Sequence, residues 1–302
     1  MKFRQVTVRV PATTANLGPG FDCLGLALGL WNRLRLEVGP SKVSVIGEGA
    51  DVLSRGEDNL VLRAASAVFQ EAGLPNPSLR LSCRNAIPLS RGLGSSAAAV
   101  VAGLVAANTL CGDPLAGATL LRLATALEGH PDNVAPALLG GCQIVVQDGE
   151  HLVTAGVRVP RWLRAVAFIP EVAMPTQEAR AVLPRDVSRR DAVYNVGRVA
   201  LLVNALATGK AEDLRVATQD ALHQPARQRL FPAMESIIQA ALQGGALGAF
   251  LSGAGSSVVA FTRGREVTVG YEMAEAARKW GVDGAVRVLR PVSRGCYVVS
   301  AS

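Results

Sequence analysis

The strongest of the glycine-rich segments in this sequence is Pro88-Leu89-Ser90-Arg91-Gly92-Leu93-Gly94-Ser95-Ser96-Ala97-Ala98. It follows a predicted strand over Leu79–Cys83 and leads into a predicted helix of small residues that begins at Ser95. Free backbone N–H groups and the helix dipole make the start of a helix a site for an anion. Glycines let the backbone approach a phosphate, and the serine hydroxyls add ligands for phosphate or Mg²⁺. The segment matches neither G-K-[ST] nor G-x-G-x-x-G, so its residues alone fit a phosphate loop and an ordinary capped helix equally well.

Three other segments combine glycines with polar groups. Pro11–Gly25 follows a predicted strand and offers Asn16 and Asp22, although by itself it reads as a loop that turns on Gly18-Pro19-Gly20. Leu251–Ser257 is a glycine turn between two predicted strands and fits a plain hairpin equally well. Glu128-Gly129-His130-Pro131-Asp132-Asn133 places polar residues inside an apolar stretch. Two carboxylates four positions apart around a glycine suit a metal ion and a substrate hydroxyl.

Composition excludes several classes of protein. The chain has 302 residues, 49% of them hydrophobic and 18% charged, which excludes intrinsic disorder. Its longest apolar run, Ala97–Ala107, is well short of the roughly 20 residues that a membrane span needs. The first ten residues alternate charged with apolar side chains and contain no apolar signal core. We therefore expect a soluble, cytoplasmic protein without a membrane partner.

Charge and metal-binding residue types exclude further functions. The chain has 31 basic and 24 acidic residues, and 27 of the basic ones are arginine. The charge is scattered and few aromatic residues interleave with it, so we expect no nucleic-acid partner. An anionic small substrate and a solvated arginine-rich surface explain the charge equally well. Five separated cysteines without a C-x-x-C pair and three dispersed histidines predict neither disulfides nor a zinc site.

The order of predicted elements indicates an α+β protein. Alternation predicts strands around Val6–Val10 and Leu34–Val38, and helical spacing predicts a helix over Leu60–Ala72. Asp113-Pro114 predicts an N-cap followed by a helix to Glu128. Mixed elements without strict βαβ alternation favour α+β. We place a domain boundary near 155, between a domain over 1–155 and a domain over 156–302.

Taken together and in this order, these segments resemble the motifs of the GHMP kinases, a superfamily of ATP-dependent small-molecule kinases. The most specific stretches are Val10–Asp22 and Glu128–Pro136, and the resemblance extends over the whole chain. Within the superfamily the chain is most similar to the members that phosphorylate the side-chain hydroxyl of L-homoserine, a step towards threonine. Pro175–Arg180 and His223–Arg227 add further support for this resemblance. The resemblance implies an N-terminal domain with a left-handed βαβ unit, against the usual hand, and a ferredoxin-like C-terminal domain.

The resemblance also implies residue roles for a MgATP-dependent kinase. Ser96 and Glu128 would hold Mg²⁺ and, with Asp132, form the catalytic group. ATP would lie against Asn59 and the phosphate loop, which consists of Pro88, Leu89, Ser90, Arg91, Gly92, Leu93, Gly94, Ser95, Ser96, Ala97 and Ala98. L-homoserine would lie among Asn16, Asp22, His130, Asp132, Asn133, Arg180 and Arg227. These roles agree with the chemistry, because an α-ammonium pairs with a carboxylate and an α-carboxylate with arginine.

Several alternatives stay open at this point. Another GHMP kinase with a different alcohol, such as a mevalonate-like one, or a non-catalytic ATP-binding member would share most of these residues. Asp22, as a partner for a free amino group, is the residue that discriminates between the substrates. Asp132 would orient the hydroxyl or act as a base, and we favour orientation because phosphoryl transfer needs positioning more than proton abstraction. Two departures from the family stand out: Ser256 replaces a frequent proline, and the segment Glu128–His130 is short. A homodimer is one option for the assembly.

Overall fold

The structure, a computed structural model, describes residues 1–149 and 151–302. Its strands are β1 (Gln5–Asn16), β2 (Gly20–Val38), β3 (Lys42–Gly47), β4 (Leu79–Asn85), β5 (Cys142–Asp148), β6 (His151–Val157), β7 (Arg164–Pro170), β8 (Gly248–Leu251), β9 (Val258–Thr262), β10 (Gly284–Leu289) and β11 (Tyr297–Ala301). Its α-helices are α1 (Leu60–Glu71), α2 (Ser95–Cys111), α3 (Gly117–Glu128), α4 (Pro131–Leu139), α5 (Thr176–Ala181), α6 (Arg189–Thr208), α7 (Leu214–Ala217), α8 (Gln224–Arg227), α9 (Met234–Gln243) and α10 (Glu266–Lys279). The content of helices and separate sheets confirms the α+β class.

The first sheet is built on a long antiparallel hairpin of β1 and β2. Strand order is β11-β1-β2-β4-β3, and β5 and β6 extend the sheet from β2. The hairpin turns at Leu17-Gly18-Pro19, where the sequence predicts a turn. Helix α2 packs on this sheet with nearly all of its small apolar side chains buried. Its first turn therefore lies at a fixed place beside the end of β1.

One unit of the first sheet has parallel strands joined through a helix. β3 and β4 pair in parallel and α1 connects them, so this is the unit for which the resemblance implies a left-handed crossover. Helix α1 begins at the predicted residue because the side chain of Asn59 caps it, accepting a hydrogen bond from the Val61 amide at 3.0 Å.

The second sheet has the strand order β10-β7-β9-β8, and every neighbouring pair is antiparallel. Numbered within this domain the order is 4-1-3-2, with helices between the first and second strands and between the third and fourth. This is the ferredoxin-like arrangement, so the predicted C-terminal fold is confirmed. The core of this domain lies between the sheet and the helices α9 and α10.

The two sheets do not divide the chain at one residue. β6 of the first sheet continues to Val157, and β11, near the C-terminus, pairs with β1. The boundary near 155 remains a prediction. Strand β11 comes from the C-terminal part of the chain but belongs to the first sheet.

One predicted helix start differs from the structure. Asp113 does not cap a helix: it has φ +60°, accepts a hydrogen bond from the Thr109 hydroxyl at 2.9 Å, and α3 begins only at Gly117. The local cause is Gly112, whose left-handed conformation ends α2 and turns the chain before a new helix forms. Among the described residues, no helix has the length and apolar character to cross a membrane.

Candidate active site

A polar cleft lies where the first turn of α2, the start of α4 and the second domain meet. It is lined by Asn16, Asp22, Ser90, Arg91, Gly92, Leu93, Gly94, Ser95, Ser96, Glu128, His130, Asp132, Asn133, Thr176, Arg180, Arg227, Gly253 and Ala254. All seven residues predicted to bind the amino acid are among them, together with both predicted metal ligands. Residues more than 200 positions apart in the sequence thus share one cleft.

The three glycine-rich segments are joined by hydrogen bonds. The Ser252 hydroxyl donates to the Gly92 carbonyl at 2.6 Å, and the Gly253 amide donates to the Ala15 carbonyl at 3.1 Å. Asn16 donates from Nδ2 to the Gly253 carbonyl at 3.0 Å. The turn at Leu251–Ser257, which the sequence leaves as a plain hairpin, therefore forms one wall of the cleft.

Gly94 brings the phosphate loop close to β1. It caps α2 with φ +69°, in the left-handed region that favours glycine. A Cβ atom at this position would lie 1.9 Å from the Thr13 hydroxyl oxygen. No side chain caps α2, so the first amides of this helix remain available to an anion.

Ser96 and Glu128 contact each other at the N-terminus of α2. The Ser96 hydroxyl donates to Glu128 Oε2 at 2.7 Å. Burial raises the pKa of Glu128, and the Asp132 charge adds to this, whereas the Ser96 hydrogen bond and the His130 ring oppose it. A carboxylate and a hydroxyl side by side are the oxygen ligands that Mg²⁺ prefers. The described residues hold no cluster of three or more acidic, histidine or cysteine side chains suited to a metal, so this pair would need phosphate and water to complete an octahedron.

Asp132 lies in the first turn of α4 and is held by its neighbours. His130 Nδ1 lies 3.1 Å from Asp132 Oδ1, and Asn133 donates from Nδ2 to the same oxygen at 3.3 Å. Asn133 in turn accepts from the Thr13 hydroxyl at 2.7 Å. Burial lowers the pKa of His130, but the hydrogen bond and charge of Asp132 outweigh it, so this pKa is raised overall. The Asp132 carboxylate is thereby oriented from two sides.

Asp22 and Arg180 form a bidentate ion pair across the two domains. Arg180 donates from Nη2 to Asp22 Oδ1 at 2.6 Å and from Nη1 to Oδ2 at 3.0 Å. The Asn16 side chain accepts from the Asp22 amide at 3.0 Å and so supports the loop that carries this carboxylate. The hydrogen bond to Asp22 raises the pKa of Arg180.

Arg227 lies deeper, and its side chain is only 1% exposed. Burial and the Arg180 charge lower its pKa to about 10. The Phe21 ring lies under both cations, 5.7 Å from Arg180 Cζ and 5.5 Å from Arg227 Cζ. The cleft therefore offers two guanidinium groups and one carboxylate at the place where the resemblance puts the amino acid.

An apolar pocket adjoins the cleft and shares Ser90, Ser95 and Ser96 with it. These three serines belong to the predicted nucleotide residues, and three further ones, Asn59, Leu89 and Ala98, also line this pocket. The side-chain oxygen of Asn59 caps α1, and its Nδ2 donates to the Ser54 carbonyl at 2.7 Å. The side chain of Asn59 thus holds one wall of the pocket in place, because it bonds backbone groups of Ser54 and Val61.

Three other predicted loop residues lie outside the polar cleft or turn their side chains away. Pro88 lines a separate open groove and Ala97 is fully buried in the core. Arg91 donates from Nε to the Pro170 carbonyl at 2.7 Å and also bonds the Glu171 carbonyl. Its guanidinium therefore joins the loop to the end of β7 and to the residue that follows it.

Sequence reasoning missed several residues of the site. Thr176, Gly253 and Ala254 line the cleft. Asn32 lines the apolar pocket and accepts hydrogen bonds from the Ala86 and Ile87 amides at 2.7 and 3.0 Å, so it holds the segment between β4 and the phosphate loop. Asn32 gives no sequence signal, because its partners are more than fifty residues away.

Comparisons with known proteins agree with this geometry. Residues 59–141 match the GHMP kinases N terminal domain, and residues 202–279 match the GHMP kinases C terminal domain. The homoserine kinase of Moorella thermoacetica is 47% identical over 97% of this chain and 99% of its own length. That of Microchaete diplosiphon is 44% identical over 96% of both chains.

A solved structure extends the similarity to three dimensions. The crystal structure of homoserine kinase from Cytophaga hutchinsonii covers 98% of both chains with a TM-score of 0.88 and 30% sequence identity. Similarity at this level covers both domains, and therefore both walls of the cleft. The chain accordingly belongs to the homoserine kinase family of the GHMP kinases.

Proposed function

We propose that the protein transfers the γ-phosphoryl group of ATP to the side-chain hydroxyl of L-homoserine and forms O-phospho-L-homoserine, a precursor of threonine. The observation that carries this proposal is that the Asp22–Arg180 pair and the Ser96–Glu128 pair line one cleft. The first pair matches the two charges of an amino acid. The second pair lies beside the start of α2, where phosphates are bound best.

The phosphate side of the reaction depends on backbone and hydroxyl groups. The amides of Gly92–Ser96 and the dipole of α2 hold the triphosphate, while the adjoining apolar pocket receives the adenine. Ser96 and Glu128 would hold Mg²⁺, which neutralises the charge that develops on the phosphates. Each of these groups stabilises the transition state more than the ground state, because negative charge shifts toward them during transfer.

The amino-acid side of the reaction depends on charge pairing. Asp22 binds the α-ammonium, and Arg180 and Arg227 bind the α-carboxylate. Asp132 accepts a hydrogen bond from the side-chain hydroxyl and aims its oxygen at the γ-phosphorus. The oxygen–phosphorus bond forms as the bond to the β-phosphate oxygen breaks, and the hydroxyl proton is released. Orientation by Asp132 is enough for this step, since the transition state is loose.

A substrate panel tests the proposal. ADP release is measured with the purified protein, MgATP and each of L-homoserine, mevalonate, shikimate and galactose. We expect L-homoserine to give the highest kcat/KM by far. Equal or greater turnover of mevalonate would mean that L-homoserine is not the preferred substrate. Absence of turnover with all four compounds would indicate a non-catalytic binding protein.

A further inference from the structure

His223 lies directly behind the amino-acid end of the cleft and has no part in the reaction described above. It precedes α8, and the spacing of four residues places it beside Arg227. Its side chain is completely buried. Arg227 Nη1 lies 2.9 Å from Nδ1, and the Gly18 carbonyl lies 2.8 Å from Nε2. The buried Asp220 carboxylate also lies near Nε2, with Oδ2 at 3.6 Å.

These neighbours fix the tautomer of the ring. A guanidinium has only donors, so Nδ1 of His223 accepts the hydrogen bond from Arg227 and carries no proton. The proton is therefore on Nε2, which donates to the Gly18 carbonyl. Burial lowers the pKa of His223 and the Arg227 charge lowers it further, while Asp220 opposes them. The ring is neutral and acts as a hydrogen-bond acceptor for the arginine.

The other contacts of Arg227 hold its guanidinium on two of its three nitrogens. Nε donates to the Ala179 carbonyl at 3.2 Å, and Nη1 also donates to the Gly253 carbonyl at 2.9 Å. Within residues 1–149 and 151–302, Nη2 has no hydrogen-bond partner, and Arg227 lines the cleft. The contacts with His223, Ala179 and Gly253 therefore leave Nη2 for a ligand.

The Phe21 ring completes the enclosure of this pair. It stacks on His223 with ring centres 5.3 Å apart and an interplanar angle of 25°. Phe21 directly precedes Asp22, the residue that receives the ammonium. The imidazole is thus locked between Phe21, Gly18 and Arg227 and cannot rotate without breaking one of these contacts.

We infer that His223 is a positioning residue for substrate recognition: its unprotonated Nδ1 orients Arg227 so that Nη2 faces the α-carboxylate of the substrate. This inference rests on the proposed function, because it requires a substrate with a carboxylate. Loss of the acceptor lets the guanidinium turn toward other partners, and a displaced Arg227 weakens binding of the carboxylate without touching the nucleotide.

Two conservative variants separate the two ring nitrogens. In His223→Asn the amide oxygen takes the place of Nδ1, so the contact with Arg227 is kept and the contact with Gly18 is lost. In His223→Gln the amide nitrogen takes the place of Nε2, so the contact with Gly18 is kept and the contact with Arg227 is lost. We expect His223→Gln to raise the KM for L-homoserine about tenfold, and His223→Asn to raise it far less. The KM for ATP should change less than twofold in both variants.

A ligand without the carboxylate provides the control. 3-Aminopropanol has the ammonium and hydroxyl of homoserine but no carboxylate, so its inhibition constant against L-homoserine should be the same in the wild type and in His223→Gln. Equal damage by both substitutions, or an equal loss for 3-aminopropanol and homoserine, would mean that His223 supports the fold alone and would overturn the inference.

The tautomer can be measured in the wild type, whatever the variants do. The chain has only three histidines, so their ¹⁵N ring signals are readily assigned. We expect Nδ1 of His223 to show the shift of an unprotonated nitrogen and Nε2 that of a protonated one. The opposite assignment would overturn the inference. A wild-type protein that does not phosphorylate homoserine would instead overturn the proposed function, and this measurement distinguishes the two failures.

Discussion

Arg180 holds Asp22 in a two-point ion pair, with Nη2 2.6 Å from Oδ1 and Nη1 3.0 Å from Oδ2. The two residues come from different domains, and each is assigned to the opposite charge of the amino acid. In the free site these two charges therefore neutralise each other. A zwitterion replaces both partners when it enters, whereas a ligand with one charge leaves the other protein charge unpaired. The pair thus favours an amino acid over a simple hydroxy acid.

The first prediction concerns Asp22→Asn, which keeps the shape and removes the charge. We expect the KM for L-homoserine to rise about tenfold or more, because a charge-assisted contact is lost. 4-Hydroxybutyrate lacks the ammonium and should be a poor substrate of the wild type. Its KM should not rise further in the variant, because Arg180 is free to bind its carboxylate there. Equal harm to both ligands would show that Asp22 supports the loop instead.

The second prediction concerns the two-point geometry of Arg180. Arg180→Ala should raise the KM for L-homoserine about ten- to a hundredfold and affect ATP far less. Arg180→Lys retains the charge but not the planar fork, and should recover only part of this loss. Steady-state kinetics with each substrate varied in turn measure both effects. An equal rise in the KM for ATP would indicate that Arg180 has a structural role.

The third prediction concerns the phosphate side of the cleft. Ser96→Ala removes the hydroxyl that donates to Glu128 and should lower kcat on the order of a hundredfold or more, because the contact matters most in the transition state. Ser66→Ala is a matched control, since this hydroxyl accepts from Asn76 on an exposed surface. Unchanged turnover of a folded Ser96→Ala protein would remove Ser96 from the catalytic group.

The fourth prediction concerns the glycine that caps α2. Gly94→Ala places a methyl group against the Thr13 hydroxyl in a left-handed conformation, which costs at least about 1 kcal/mol of stability. It also disturbs the Thr13–Asn133 hydrogen bond, and so the KM for ATP and kcat should both worsen. Gly117→Ala is the control, because a Cβ there meets nothing within 4 Å. Similar behaviour of the two variants in denaturant unfolding would contradict the close approach described for Gly94.

The fifth prediction concerns pH and the buried His223. Its pKa is lowered in the folded protein by burial, with Arg227, Asp220 and Asp22 as the charged groups around it. The contribution of the neutral ring to the free energy of unfolding is fully present above the pKa of histidine in the unfolded state, about 6.5. It declines as the pH falls below that pKa. Between pH 7.5 and 5.5, protonation of the unfolded state at this single group should therefore lower the free energy of unfolding of the wild type. The free energy of unfolding of His223→Gln, measured in denaturant, should lack this part of the pH dependence. An identical pH dependence in both proteins would contradict the prediction.

Much of the fold was predictable because local patterns set it. The alternation of Val6, Val8 and Val10 predicts β1, and all three side chains are buried, although Thr7 between them is buried as well. One of the two partners of that strand was not predictable: β11 pairs with β1 from the other end of the chain. Pairing over such a separation depends on how the domains pack, and no local pattern records it.

The candidate site shows the same division. The resemblance brings together the residues of the cleft, but it does not show that Asp22 and Arg180 pair with each other. It also assigns Arg91 to the phosphates, whereas the side chain bonds backbone carbonyls at the end of β7. The contact between His223 and Arg227 had a signal in the sequence, because four-residue spacing puts both on one side of a helical turn.

If the cleft phosphorylates the hydroxyl of L-homoserine, the reaction product is O-phospho-L-homoserine, and this product can be identified directly. The purified protein is incubated with MgATP and L-homoserine, and the reaction is followed by ³¹P nuclear magnetic resonance. We predict one phosphate monoester signal, coupled to the side-chain methylene protons of homoserine, for each ADP formed. ADP that accumulates without this ester, or a mixture in which ATP stays intact, would contradict the account.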